Sequence, residues 1–332
     1  MGSKIKQIEV FLPEHVLSNE QLEREFPEWN AQKIEQKTGI KERHVASEDE
    51  TALDLGLRAA KKLLDNYDKN KVDLLLFCTQ SPDYYLPTSA CILQDRLDLR
   101  TDIGAFDFNL GCSGFIYGLA IAKSFIEAKI ASSVLLITSE TYTKYIHPKD
   151  KSNRTIFGDG AAATIIEKSE EECILEFALG TDGSGYANLI VPNGGLRSRY
   201  DPNAPEFDDG SGSIRTKNNL YMNGPEIFNF TIKSVPIVVN QCLQKNSLKL
   251  DEIDYVIFHQ ANKYMIDYLR KKIKIPEEKF YMNMIYTGNT VSSTIPIALK
   301  DSIDKGVIKE GNYVLLVGYG VGYSWGATII KI

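Results

Sequence analysis

The chain has 332 residues, 43% hydrophobic and 25% charged, the proportions of a globular protein that needs neither disulfides nor a metal to hold its core. Five cysteines (Cys78, Cys91, Cys112, Cys173, Cys242) are odd in number and lack zinc or redox spacing, so a reducing, cytoplasmic setting without a metal site is expected. A net charge of −6 argues against a nucleic-acid binder.

In chain order, residues 1–16 alternate like a strand and hold no apolar run long enough for a signal peptide or a membrane span. Residues 72–78 then form a short apolar strand. A small-residue stretch around Gly111-Cys112-Ser113-Gly114 follows, then an amphipathic helix through 121–130 and strands at 134–137 and 163–166. The order then repeats: 253–259 resembles 72–78, 298–307 aligns with 121–130, 314–317 resembles 134–137, and 327–330 resembles 163–166. One such match means little, but several in one order predict a duplication. The expected architecture is α/β with two pseudo-symmetric halves, 1–172 and 173–332. Residues 192–221 between the repeats are rich in Gly, Asn, Asp and Pro. They read as a long loop, either mobile on the surface or covering a substrate mouth.

The register of the repeat sets Cys112 opposite Asn289, each expected at the start of a buried helix, and sets His259 in the place of Cys78. A helix start offers free N–H groups and partial positive charge, which favour a thiolate and can hold an oxyanion. Taken alone, Cys112 reads equally as a buried structural cysteine, His259 as a satisfied core histidine, and Gly288-Asn289-Thr290 as a turn. The glycines at 318, 320 and 322 precede a strand and no helix, so they read as a tight turn rather than a dinucleotide fingerprint.

Motifs along nearly the whole chain resemble the β-ketoacyl-acyl-carrier-protein synthase III family: Lys37-Thr38-Gly39-Ile40, Gly111-Cys112-Ser113-Gly114-Phe115, Phe157-Gly158-Asp159-Gly160, His259-Gln260-Ala261-Asn262, Gly288-Asn289-Thr290 and Ser324-Trp325-Gly326. The resemblance implies a thiolase-like fold with a five-layered α-β-α-β-α core. It implies that Cys112 takes an acyl group from coenzyme A, with the N–H groups of Cys112 and Val321 as the oxyanion hole. His259, neutral, and Asn289 would then assist condensation with malonyl-acyl-carrier protein. It also implies no cofactor, an acyl pocket bounded by Phe157 and Leu86, and a homodimer in which Leu86 reaches the neighbour's pocket. Leu86, smaller than the Phe of acetyl-specific members, leads to the expectation of a somewhat longer or branched primer. Asn262, Lys33, Lys37 and Lys151 fall at substrate-binding positions, the lysines where the family carries Trp, Arg and Arg. Pro225, Val321 and Tyr264 replace Asn, Gly and Arg. The basic run Arg270, Lys271, Lys272 reads either as a docking site for an acidic carrier protein or as a helix end with favourable cations.

Three other readings compete. They are a thiolase-fold acyltransferase that uses an alcohol or amine acceptor, a catalytically silent partner subunit, and a papain-like hydrolase with Cys, His and Asn in that order.

Overall fold

The structure, a computed structural model, describes residues 2–208, 210 and 212–332. In the first half, five strands β1 (Gly2–Phe11), β2 (Leu74–Cys78), β3 (Gly104–Phe108), β4 (Ser133–Glu140) and β5 (Gly160–Ser169) pair in the order β1-β5-β4-β2-β3. In the second, β6 (Ala178–Thr181), β7 (Tyr255–Phe258), β8 (Tyr313–Gly320) and β9 (Ser324–Lys331) pair as β7-β8-β9-β6. β2 lies parallel to β3 and β4, and β5 antiparallel to β4; likewise β7 lies parallel to β8, and β9 antiparallel to β8. A lone parallel bridge from Val256 to Phe280 stands where the first half has β3. Val134 faces Leu74 and Ile166, and Val314 faces Tyr255 and Ile330, so the repeated segments occupy matching registers.

Six helices matter for the site: α1 (Ala31–Thr38), α2 (Ala52–Leu64), α3 (Gly114–Glu127), α4 (Gly224–Lys245), α5 (Lys263–Ile273) and α6 (Thr294–Asp304). α3 and α6 form the middle layer. α3 packs on β4 and, across the molecule, on β8 and β9, while α6 packs on β1 and β5 and on β7 and β8. A helix between two sheets has no solvent face, which is why α3 is apolar nearly all round. Gly118 lets it lie close, since a Cβ there would fall 2.7 Å from Leu136. α2 covers the outer face of the first sheet and α4 that of the second, completing the five layers.

Cys112 lies two residues before α3. Asn289 lies two residues before a 3-10 turn, Val291–Ser293, that leads directly into α6. Turn and helix together are as long as α3, so the predicted register holds. The expectation of a helix start at Asn289 needs correction: Asn289 is in extended backbone, in a parallel bridge with Phe157.

The 192–221 segment is more built than a free loop. It carries a hairpin of Phe207–Asp208 with Ile214–Arg215, and Arg215 is buried against Asp150 at 3.5 Å. Asp209 and Ser211 of that segment lie outside the described residues. No described helix is long and apolar enough to cross a membrane.

Candidate active site

Cys112 is buried at the junction of the halves. The end of β8 passes so close that a Cβ on Gly320 would lie 2.8 Å from the sulfur. The backbone N–H groups of Val321 and of Cys112 itself are directed at Sγ. Val321 keeps a negative φ, so the side chain that replaces the family's glycine does not cost this donor. Burial pushes the thiol up to about 12, against the opposing pull of the two N–H groups. Desolvation thus works against the thiolate expected at a helix start and favours the neutral thiol.

His259 follows β7, anchored by its N–H to the Val317 carbonyl at 2.8 Å. Its ring stands edge-on to Tyr319 at 5.6 Å, and Nδ1 is 2.7 Å from the Thr294 hydroxyl. That hydroxyl donates to the Val291 carbonyl at 3.0 Å, beside the Thr294 N–H on the same oxygen. The hydroxyl thus ties the imidazole, through Nδ1, to the turn that opens α6. Burial holds the ring's pKa down at about 3, so it is neutral through the physiological range.

Asn289 is clamped on both sides. Its N–H donates to Ile156 at 2.9 Å and its carbonyl accepts from Gly158 at 3.0 Å. Its Oδ1 accepts the Val291 N–H at 2.9 Å. Val291 is a β-branched residue at φ 55, a costly conformation that turns this N–H back on the side chain. With Oδ1 occupied, the amide presents its NH2 as a donor.

Two groups that sequence reasoning missed brace the site. Glu140 ends β4 fully buried, accepting from the Gln80 N–H at 3.0 Å and from the hydroxyls of Ser81 (2.9 Å) and Ser292 (3.2 Å), so one carboxyl joins the two halves. Burial raises its pKa to about 8. The available signal was an acid closing an apolar strand. The second is Thr294, an unremarkable helix residue in the sequence.

The family model for 3-oxoacyl-[acyl-carrier-protein] synthase III matches residues 106–183, and the model for its C-terminal part matches residues 243–332. The β-ketoacyl-[acyl-carrier-protein] synthase III of Clostridium perfringens is 38% identical over 97% of both chains. The Fusobacterium nucleatum protein of the same name is 36% identical over 98% of both. The chain belongs to the β-ketoacyl-acyl-carrier-protein synthase III family. A crystal structure of a 3-oxoacyl-(acyl-carrier-protein) synthase III superposes with a TM-score of 0.98 at 47% identity over the full length of both chains. The Burkholderia xenovorans LB400 synthase gives 0.93 at 33% identity, covering 100% of this chain and 94% of that one.

In this synthase the remaining predicted positions fall in different settings. Phe157 is buried, bridged to Asn289 and packed on Tyr142 with ring centres 5.4 Å apart. Leu86 is 82% exposed, on the rim of a cavity of about 990 Å³. Lys33 and Lys37 are exposed one turn apart on α1. Lys151 is engaged by Glu28 and lies over the Phe26 ring at 5.6 Å. Asn262 caps α5, its Oδ1 accepting the Met265 N–H at 2.9 Å, so its NH2 alone is left for a ligand. Arg270 is turned inward, bonded to Glu277 at 3.1 Å and to the Ile275 carbonyl at 3.3 Å. Lys272 donates to the Ile232 carbonyl at 2.8 Å, while Lys271 is exposed.

Proposed function

We propose that the synthase works in two stages at Cys112. In the first, the sulfur attacks the carbonyl carbon of an acyl-CoA. The S–C bond forms, the CoA sulfur leaves and takes up the thiol proton, and the oxyanion is held by the N–H groups of Cys112 and Val321. In the second, malonyl-acyl-carrier protein loses its carboxylate as CO2. The resulting enolate carbon bonds to the acyl carbonyl, the S–C bond to Cys112 breaks, and the departing sulfur takes up a proton from solvent. His259 Nε2–H and the Asn289 NH2 hold the enolate oxygen as its charge develops.

The observation that carries this reading is the pairing of a buried thiol beneath two N–H groups with two fixed, uncharged side chains, an imidazole and an amide, from the other half. Neutral donors suit an enolate, whose charge appears only in transit. The chemistry needs no cofactor. Lys33, Lys37, Lys151 and Asn262 are the groups we assign to the CoA or carrier arm. Lys271 is the free cation for an acidic carrier protein, with Lys272 and Arg270 beside it. Leu86, exposed at a cavity rim, is suited to a homodimer contact, and the setting we propose is cytoplasmic.

The test is product analysis with acyl-CoA and malonyl-acyl-carrier protein. One CO2 per β-ketoacyl product supports condensation. Acyl transfer to an alcohol or amine without CO2 would establish the acyltransferase reading instead.

A further inference from the structure

The Glu140 carboxyl is fully buried, and the groups that bond it among the described residues are all uncharged. A buried acid costs folding energy unless it is well bonded, so the placing of its partners is informative. They come from two segments. The stretch after β2 supplies the Gln80 N–H at 3.0 Å and the Ser81 hydroxyl at 2.9 Å, with the Thr79 hydroxyl farther off at 3.5 Å. The second half supplies the Ser292 hydroxyl at 3.2 Å, from the 3-10 turn that separates Asn289 from α6. Ser292 follows Val291, whose φ of 55 turns its N–H onto Asn289 Oδ1. Backbone strain of this kind persists only where the surroundings hold it. Val291 has an apolar side chain and cannot anchor itself. Main-chain bonds to Ile156 and Gly158 fix Asn289 on one side, and the Ser293 hydroxyl on the Thr138 carbonyl at 2.9 Å fixes the other. The Thr294 hydroxyl ties the Val291 carbonyl within the second half. The Ser292–Glu140 bond ties the strained stretch to the first.

We infer that Glu140 is a positioning residue for the condensation stage: through Ser292 it holds the Val291 turn against the first half and so keeps the Asn289 amide aimed. It acts through that turn and not on a reacting atom. Loading of Cys112 draws on the N–H groups of Cys112 and Val321 and does not use the Ser292 tie, so the two stages respond differently when the tie is cut. The inference rests on the role proposed above for Asn289 and extends it to the acid that fixes the turn.

The experiment measures two rates on the full chain: acetyl labelling of Cys112 by acetyl-CoA, and CO2 release from malonyl-acyl-carrier protein. Ser292→Ala and Glu140→Gln are compared alone, together, and each combined with Asn289→Ala, after circular dichroism shows the variants folded. Ser292→Ala removes the tie outright. Glu140→Gln keeps the outline of the side chain but turns one acceptor into a donor. Each alone should lower kcat for CO2 release about tenfold with KM little changed. Labelling of Cys112 in Ser292→Ala should stay within about twofold of wild type. The pair together should be no slower than the slower single variant, since both cut one tie. On the Asn289→Ala background neither should slow CO2 release further, because the group they aim is gone. A further tenfold fall on that background would show general damage to the site and overturns the inference. So does CO2 release at the wild-type rate in Ser292→Ala, or an equal loss of labelling and CO2 release there. Should Ser292→Ala not fold, Glu140→Gln on the two backgrounds decides the matter. CO2 release at the wild-type rate in Asn289→Ala alone overturns the proposed role of Asn289 and this inference with it.

Discussion

In the first half the residue closing the parallel strand is Cys78, whose thiol points at the Leu110 carbonyl at 3.1 Å and packs on Gly114 at the start of α3. In the second half the same place holds His259, which meets Thr294 at the start of α6. Burial drives Cys78 far above its ordinary pKa and His259 far below, so both are uncharged, yet one is packing and the other, as we propose, a donor. One layer up, Cys112 and Asn289 occupy equivalent positions. Cys112 runs almost directly into its helix, while Asn289 is followed by a strained Val291 that fixes its amide. On the proposed mechanism, one scaffold used twice puts the nucleophile in one copy and the hydrogen-bond donors in the other. The difference lies in which side chain fills each matching place.

The comparison breaks most decisively at the cysteines. Cys112→Ala should lose at least about 10⁴-fold in condensation rate and all covalent label, by analogy with nucleophile removal elsewhere. Cys78→Ala should keep the label stoichiometry. Label on Cys78 would show that the halves are not specialised as described.

Next come the donors. CO2 release from malonyl-acyl-carrier protein should fall about 10²- to 10³-fold in His259→Ala and in Asn289→Ala, the loss seen when one oxyanion donor is removed. A fall confined to KM would mean that these residues bind substrate without acting on the enolate.

The pH dependence sharpens the claim that both machines rest uncharged. Between about 3 for His259 and about 12 for Cys112 neither group titrates, so alkylation of Cys112 by iodoacetamide should climb with pH without a plateau near 9.0. His259 binds fewer protons folded than unfolded below its ordinary 6.5, so the stability it contributes is complete above 6.5 and is lost as pH falls toward 3. Cys112 is the opposite case, its contribution complete below 9.0 and lost as pH rises toward 12. Unfolding free energies of wild type minus His259→Gln should shrink on acidification. A flat difference would place a charged imidazole in the native site.

A smaller effect is expected at Thr294. Thr294→Val removes the hydroxyl that holds His259 Nδ1 and should lower kcat about tenfold with KM little changed, rescued by Thr294→Ser. The smallest is at the surface. Lys271→Glu should raise the KM for the carrier protein a few-fold, and less so at high salt.

Much of this was legible in the chain. The apolar runs and their order gave the duplicated α/β halves, because strands buried on both faces must be apolar. The register put Cys112 across from Asn289. Other features were not legible because they depend on distances between remote segments. Nothing local marks Thr294 as the partner of His259, 35 residues away, or Ser292 as the partner of Glu140, 152 residues away. The thiol's upward shift was missed for the same reason: a helix start is visible in sequence, whereas burial between two halves is not. The basic run at 270–272 shows the converse, since composition marked three cations and the fold spends Arg270 on Glu277.

The central claim, division of labour between the two copies, is tested most directly by a single turnover from enzyme already acetylated on Cys112, mixed with malonyl-acyl-carrier protein. In the wild type the acetyl group should leave the sulfur in step with CO2. In His259→Ala/Asn289→Ala it should stay on Cys112, loaded but stranded. Discharge of the label by the double variant at the wild-type rate would contradict the account.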